Sequence, residues 1–447
     1  MAYQLNRNQR KEFLLLASDE LFLNFIEDTH PVDLLDVYYD DKEAAFQIFD
    51  RLPESILATV IDAAQLEEKY ELLSRYSVHK QKMIVEQMSS DELADLVGNL
   101  NEDEASKLFE TMDDDHERNV RKLLSYDPQS AGGIMATEFI ALKETMTVEQ
   151  TLHFLQDVKL TSETVYYLYV VDNDQRLKGV VSLRDFISSP FDTRIGEIMN
   201  ENVFFVTVEV DQEVVAKAFQ KYGYLTMPVV SDEHVLLGIV TIDDILDIIQ
   251  EETTEDIHQL AGINAYEKID GTIFEALKSR SPCLFLHVLP SIFAVLLVSY
   301  FHETIEDIIM LAIFMPVMSI LGRNAAIQSL TVTVRAMTIG ALNRQNGSVV
   351  FVKELMIGAI HGILLGVLMG VIAMIISGHV LFGVVVGLAI WLNMIGSTIS
   401  GFLVPVVLRT LRLDPAYASS VTVTTLTETL GYATLLGLAT TILSSVL

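Results

Sequence analysis

The chain is poor in cysteine, in positive charge and in enzyme-like motifs, and each lack excludes something. One cysteine in 447 residues, Cys283, rules out a disulfide framework or a thiolate metal cluster. It reads as a small apolar packing residue. Lys and Arg number 30 against 61 Asp and Glu, which excludes nucleic acid as a partner, because a phosphate backbone repels such a surface. No nucleophile–base arrangement and no phosphate loop occurs, which argues against an enzyme. His153, His258, His287 and His361 have no ligand-like companions and read as packing or helix-surface residues. Nothing resembling a secretory signal opens the sequence. Met1 to Leu16 is polar and carries Arg7, Arg10 and Lys11, so the acidic part is expected to stay where it is made.

The charge is also unevenly spread. Residues 1–282 hold 24 Lys and Arg against 55 Asp and Glu, whereas the remainder holds six of each. After Pro282 come five apolar runs, Cys283–Phe301, Ile308–Thr333, Leu355–Ser377, Val380–Leu408 and Ser419–Leu443. Each has the length that a ~30 Å hydrocarbon core requires. Lys278 and Arg280 precede the first run. Arg335, Arg344 and Lys353 lie between the second and third, and Arg409 and Arg412 between the fourth and fifth. The intervening His302–Asp307 and Gly378–His379 hold no base. Cytoplasmic loops are enriched in Lys and Arg. The pattern therefore predicts a multi-pass protein of the plasma (inner) membrane with a cytosolic N-terminus and an external C-terminus.

From Glu12 to Leu124 apolar residues recur at spacings of three and four, as in Leu93, Leu96, Val97 and Leu100. This predicts an all-α domain over 1–127. An internal repeat of about 60 residues follows. Ile134-Met135 recurs as Ile198-Met199, and Leu177-Lys178-Gly179-Val180-Val181-Ser182-Leu183-Arg184-Asp185 recurs as Leu236-Leu237-Gly238-Ile239-Val240-Thr241-Ile242-Asp243-Asp244. Each copy reads strand, helix, two strands, helix. Tyr166–Val171 and Met227–Val230 are strands before the turn signals Asp172-Asn173-Asp174 and Ser231-Asp232-Glu233, as a hairpin needs. The two copies, 128–187 and 188–250, resemble tandem CBS α/β modules. That resemblance implies an adenine nucleotide, ATP, as a regulatory ligand between the repeats. Tyr167 and Tyr224 would flank its base, with Arg184 and Asp185 near ribose or phosphate; the alternative is that the tyrosines pack the module.

A long acidic connecting helix is expected over 244–282. Within it Asp244, Asp247, Glu251 and Glu255 fall within about 80° of one another on one helix face. Like charges one turn apart destabilise a helix by ~0.2–0.5 kcal/mol per pair. No base occurs between Lys221 and Lys268 to relieve them. Oxygen ligands without nitrogen or sulfur suit Mg2+ or Ca2+ rather than zinc, and the alternative is an ordinary solvated acidic face.

Ionisable residues inside spans are functional candidates, and Arg323 and Glu428 stand out. Glu428 shares its helical face with Thr424, Thr425 and Gly431, a hydroxyl-lined stripe that suits a cation path. The run Pro316-Val317-Met318-Ser319-Ile320-Leu321-Gly322-Arg323-Asn324-Ala325-Ala326-Ile327-Gln328 resembles the MgtE family of magnesium channels and transporters, whose signature is P-x5-G-G-N-x-G-x-Q. Gly322, Asn324 and Gln328 match it; Arg323 and Ala326 replace its second and third glycines. The likeness extends over the whole chain and includes Asp414-Pro415-Ala416 before the last span. Glu428 stands at the family's pore aspartate.

The resemblance implies a five-helix transmembrane domain over 283–447, a homodimer in the lipid bilayer, and a pore lined by Gly322, Asn324, Gln328, Thr424 and Thr425 with Glu428 at the ion. It also implies that Mg2+ enters the cytosol and closes its own path by binding cytosolic carboxylates. These carry over as Asp91 and Asp95, Asp211 and Glu213, Asp244 and Asp247, then Glu252, Glu255 and Asp256. One acidic position of that set is Gly223 here. Arg323 keeps two alternatives open. One is a membrane Mg2+ sensor that conducts weakly or not at all; the other is a transporter of another divalent cation such as Co2+.

Overall fold

The computed structural model describes residues 7–157, 166–263, 272–343, 345–411 and 415–443. Arg344, Arg412 and Asp414 of the sequence reading, and the middle of the expected connecting helix, lie outside the described residues. The chain divides into two compact units, 1–249 and 250–447, each described by itself.

In the first unit, ten short helices run from Arg7–Leu16 to Asp114–Leu123 among the described residues. Their starts are set locally. The side chains of Asp41, Ser77, Asn101 and Asp113 each accept a backbone N–H of the following turn, and Asn101 with Glu104 closes a capping box, satisfying donors the helix cannot satisfy itself. The helices bury Leu34, Tyr38, Ile48, Phe49, Leu57 and Ile61. That core continues from Leu93, Leu96 and Leu123 into Val215, Phe219, Met227 and Ile245 of the second repeat. The helical domain is therefore fused to the second repeat, while the first keeps a core of its own around Leu142, Leu168 and Val181.

Each repeat forms a three-stranded sheet: β1 (Ala141–Lys143), β2 (Tyr167–Val171) and β3 (Leu177–Ser182), then β4 (Val206–Thr207), β5 (Thr226–Val230) and β6 (Leu236–Thr241). In both, the first two strands are parallel and the last two antiparallel. Both hairpin turns place a non-glycine residue in the left-handed region, Gln175 at φ 61° and His234 at φ 64°.

The short Ile-Met repeat has a structural reason. Ala136 pairs with Ile239 and Asn200 with Val180, so each Ile-Met segment lies on the other repeat's hairpin. A Cβ at Gly238 would meet Met135 Sδ at 2.8 Å, and one at Gly179 would meet Met199 Sδ at 2.8 Å. The paired glycines exist to admit the paired methionines. Tyr169 Oη and Thr226 Oγ1, 2.8 Å apart, add a buried hydrogen bond between the repeats.

Among the described residues of the second unit five helices are long and apolar enough to cross a membrane: Ile273–Tyr300, Met310–Thr338, Gly347–Ser377, Val380–Thr410 and Val421–Leu443. The first begins ten residues before the expected Cys283 because Thr272 and Glu275 form a capping box. The other helices also run past their apolar stretches, so Arg335, Lys353 and Arg409 lie within helix ends rather than in loops. The third and fourth spans join at Gly378, whose φ of 73° ends the helix. They pack backbone to backbone along Gly362, Gly366 and Gly370. A Cβ at Gly370 would lie 2.8 Å from Gly383 O, and one at Gly366 2.6 Å from Gly387 O. Small residues spaced in this way allow close helix packing in lipid.

Candidate functional site

Within the membrane-spanning unit, Glu428 is half-buried in the fifth span and accepts a hydrogen bond from Ser319 Oγ of the second at 3.2 Å. It borders a cleft of about 560 Å³ whose other walls include Ser291, Val298, His302, Glu306 and Tyr432. The carboxylate thus borders an open, largely apolar cleft that a second carboxylate, Glu306, also lines. The helix around it is rich in hydroxyls, but two are engaged. Thr425 Oγ1 donates to Val421 O at 2.7 Å, and Thr427 Oγ1 to Thr424 O at 3.0 Å.

The signature run divides by face. Asn324 and Gln328 are exposed, and so is Arg323; among the described residues no carboxylate, Glu428 included, pairs with its guanidinium. Gly322 is buried instead. A Cβ there would stand 2.7 Å from Asn393 Nδ2 and 3.0 Å from Ser397 Oγ, so this glycine packs the second span against the fourth rather than lining open space. Asn393 Nδ2 in turn donates to Met318 O at 2.9 Å. Neither Ser319 nor Asn393 stood out from sequence, because hydroxyls and amides are frequent and only the tertiary fold brings these two to the signature helix.

A second acidic centre lies in the first unit, where the helical domain meets the second repeat. Ser182 Oγ donates to Asp185 Oδ2 at 2.6 Å on the exposed start of one helix. Thr241 Oγ1 donates to Asp244 Oδ2 at the equivalent place in the second repeat. The second copy is covered. Burial, then the charge of Asp91, lifts the Asp244 carboxyl from its usual 3.8 to about 7. Asp91 is 8% exposed. Burial, with Glu92 and Glu138 adding to it, lifts its carboxyl to about 6 although bonding at Ser89 pulls the other way.

Two further carboxyls that sequence reasoning passed over join them. Burial, then the charge of Glu92, lifts Asp62 to about 8, and Glu138 accepts from Ser90 Oγ and from Thr137 N. Desolvation disfavours the charged form in each raised case.

The buried Oδ1 atoms of Asp62 and Asp91 have no hydrogen-bond partner. Buried, unpartnered carboxylate oxygens suit a hard divalent cation. Among the described residues no three Asp, Glu, His or Cys side chains yet converge on one coordination point. Asp95 and Asp247 are exposed.

The remaining expected ligands have local partners. Asp211 caps the helix Gln212–Tyr222 through Glu213 N, and Glu213 pairs with Lys217 at 2.6 Å. In the second unit Gln259 Nε2 donates to Glu255, and Thr338 Oγ1 makes a long 3.5 Å hydrogen bond to Asp256. Glu252 is half-buried. In the repeats Tyr224 stacks on Tyr222 at 5.5 Å and packs against Phe204, while Tyr167 packs beside Val180 and Tyr169. Arg184 is exposed.

Comparison with known proteins gives matches along most of this length. A family model described as divalent cation transporter, MgtE, matches residues 315–438; the MgtE intracellular N domain matches 29–129; and CBS domains match 131–191 and 195–251. The chain is 34% identical over 427 residues to a magnesium transporter, MgtE, of Thermus thermophilus, covering 94% of this chain and 95% of that protein. It is 30% identical over 440 residues to the protein of that name from Bacillus subtilis, covering 95% and 94%. Among solved structures, the cytosolic domain of the Mg2+ channel MgtE in complex with ATP aligns with a TM-score of 0.50 at 36% identity, covering 56% of this chain and 100% of that one. The soluble part of a magnesium transporter aligns with a TM-score of 0.51 at 32% identity, covering 54% and 95%.

Proposed function

Because the chain belongs to the MgtE family, we propose that it carries Mg2+ into the cytosol down its electrochemical gradient and that cytosolic Mg2+ closes the path. The observation that carries this reading is Glu428, the one charged side chain of a threonine-rich span, held by Ser319 and open to a cleft. Mg2+ sheds water reluctantly and keeps an octahedral shell, so a carboxylate flanked by hydroxyls suits a hydrated ion better than a closed cage. No fuel is required: inward movement of a divalent ion gains about 2 × 2.3 kcal/mol per 100 mV.

The exposed Arg323, Asn324 and Gln328 support a homodimer in the bilayer. A guanidinium facing lipid costs roughly 2.5–3.5 kcal/mol on insertion scales, and a two-fold partner would cover one such surface with its copy. The basic helix ends at Lys278, Arg335, Lys353 and Arg409 support a cytosolic N-terminus and an external C-terminus in the cell membrane. We assign the helical domain to 1–127 and the two repeats to 128–187 and 188–250; of the 244–282 and 283–447 expected for the connecting helix and the five-helix domain, the boundary moves to the first span's start at Ile273.

For closure, the buried acids around Asp91 and Asp244 are the proposed seat of the ion, joined by Asp95, Asp211, Glu213, Asp247, Glu252, Glu255 and Asp256. The ion must then bind the closed state more tightly than the open one. The similar cytosolic domain solved with ATP supports ATP as a regulatory ligand near Tyr167, Arg184, Asp185 and Tyr224.

Arg323 supports a second reading, in which the chain senses Mg2+ and conducts weakly, because an unneutralised guanidinium on the signature face repels a cation. Mg2+-dependent growth of a transport-deficient cell separates the two. Rescue by the natural chain, lost in Glu428→Gln, supports transport. Rescue only by Arg323→Gly at equal expression supports the sensor, and competition by Co2+ reports selectivity.

A further inference from the structure

The acidic pocket of the first unit already contains a cation. Lys69, on the helix Leu66–Ser74, is 6% exposed, and its Nζ pairs with Glu92 Oε2. Glu92 neighbours Asp91 in the chain, and its charge weighs on Asp62 and Asp91 and, least, on Asp244. Lys69 also acts on Asp62, in the sense opposite to that of Glu92 and Asp91. A buried ammonium is unfavourable unless it is paired, so its position is set by the acids around it. The ammonium does not reach every acid: Asp62 Oδ1 and Asp91 Oδ1 remain buried without a hydrogen-bond partner.

We propose that Lys69 is a tethered counter-ion of the cation-sensing pocket, holding one cation position with the chain's own ammonium so that fewer metal ions complete the site. The inference rests on the reading of this pocket as the regulatory Mg2+ site. Its consequence is a weaker dependence on Mg2+. A permanently bound positive charge relieves part of the repulsion in the metal-free state, and it repels the incoming ion in the metal-bound one.

The full chain in detergent tests this by Mg2+ equilibrium dialysis and by the Mg2+ concentration that half-protects the soluble part from protease. Lys69→Gln should bind about one more Mg2+ per chain, be cut faster without metal, and reach half-protection at about tenfold lower Mg2+, the scale expected when one unit charge leaves a partly buried site. Lys69→Arg should restore the natural values. The double variant Lys69→Gln/Glu92→Gln, which removes both charges of the pair, should return the stoichiometry to that of the natural chain even if the single variant folds only in Mg2+. Unchanged stoichiometry and midpoint in a folded Lys69→Gln protein overturn the counter-ion role alone. Absence of any Mg2+ protection in the natural chain overturns the sensor reading, and this inference with it.

Discussion

Neutralising a proposed sensor carboxylate should stabilise the metal-free protein. Burial, then the charge of Asp91, raises Asp244 to about 7. At about 1.4 kcal/mol per tenfold change in proton affinity, keeping it ionised costs on the order of 4 kcal/mol. Neighbours that share and relax the charge reduce this to about 2 kcal/mol. The sign follows from a raised carboxyl: the native state holds the proton longer than the unfolded chain, so stability is highest at low pH and falls as pH rises from about 4 through about 7. Asp244→Asn removes that loss.

Thermal melting of the metal-free full chain near pH 8.5 should therefore show the variant about 4–8 °C above the natural protein, using roughly 2–4 °C per kcal/mol for a unit of this size. Near pH 5, where the natural carboxyl is already protonated, the gap should close. Added Mg2+ should stabilise the variant less than the natural chain. A lower melting temperature for Asp244→Asn near pH 8.5, or an equal gap at both pH values, would refute the argument.

Three more outcomes follow from the same geometry. Mg2+ binding to the soluble part should release protons between about pH 6 and 8, because Asp91, Asp244 and Asp62 carry protons up to about 6, 7 and 8, and an indicator dye in weak buffer reads this directly. Ser319→Ala removes a donor to the Glu428 carboxylate, an interaction worth roughly 1.5–3 kcal/mol; Mg2+ uptake should show half-saturation weakened by about tenfold or more, with folding retained. Gly370→Ala places a Cβ 2.8 Å from Gly383 O, and such overpacking costs about 1–3 kcal/mol. Its detergent-solubilised protein should melt lower than Gly437→Ala, where a Cβ meets nothing within 4 Å.

Local order was legible where it is written in neighbouring residues. The turn signals at Asp172-Asn173-Asp174 and Ser231-Asp232-Glu233 marked both hairpins, and uninterrupted apolar runs marked five spans, though caps such as Thr272 moved the ends. The exchange of Ile-Met segments was visible only as a repeat, since nothing in the sequence states that Met135 packs on Gly238 and not on Gly179. Asp91 was named on resemblance alone, and Asp244 already as part of an acidic helix face. Their burial was not legible, because Ser182–Asp185 and Thr241–Asp244 are the same motif, and only the core shared with the helical domain covers one of them. Lys69 and Glu92 lie 23 positions apart on separate helices, and nothing in the sequence pairs them. Gly322 belonged to a recognisable signature, yet its contact with Asn393 depends on how two spans cross.

The central claim is that one ion both passes Glu428 and closes the path from the cytosolic side. Electrical recording from the purified chain in liposomes, with Mg2+ on the outer face and the cytosolic face switched between none and millimolar, measures both at once. The account predicts a Mg2+ current that falls as cytosolic Mg2+ rises, with Asp91→Asn/Asp244→Asn needing more Mg2+ to close. A current indifferent to cytosolic Mg2+, or none in the natural chain while Arg323→Gly conducts, would contradict it.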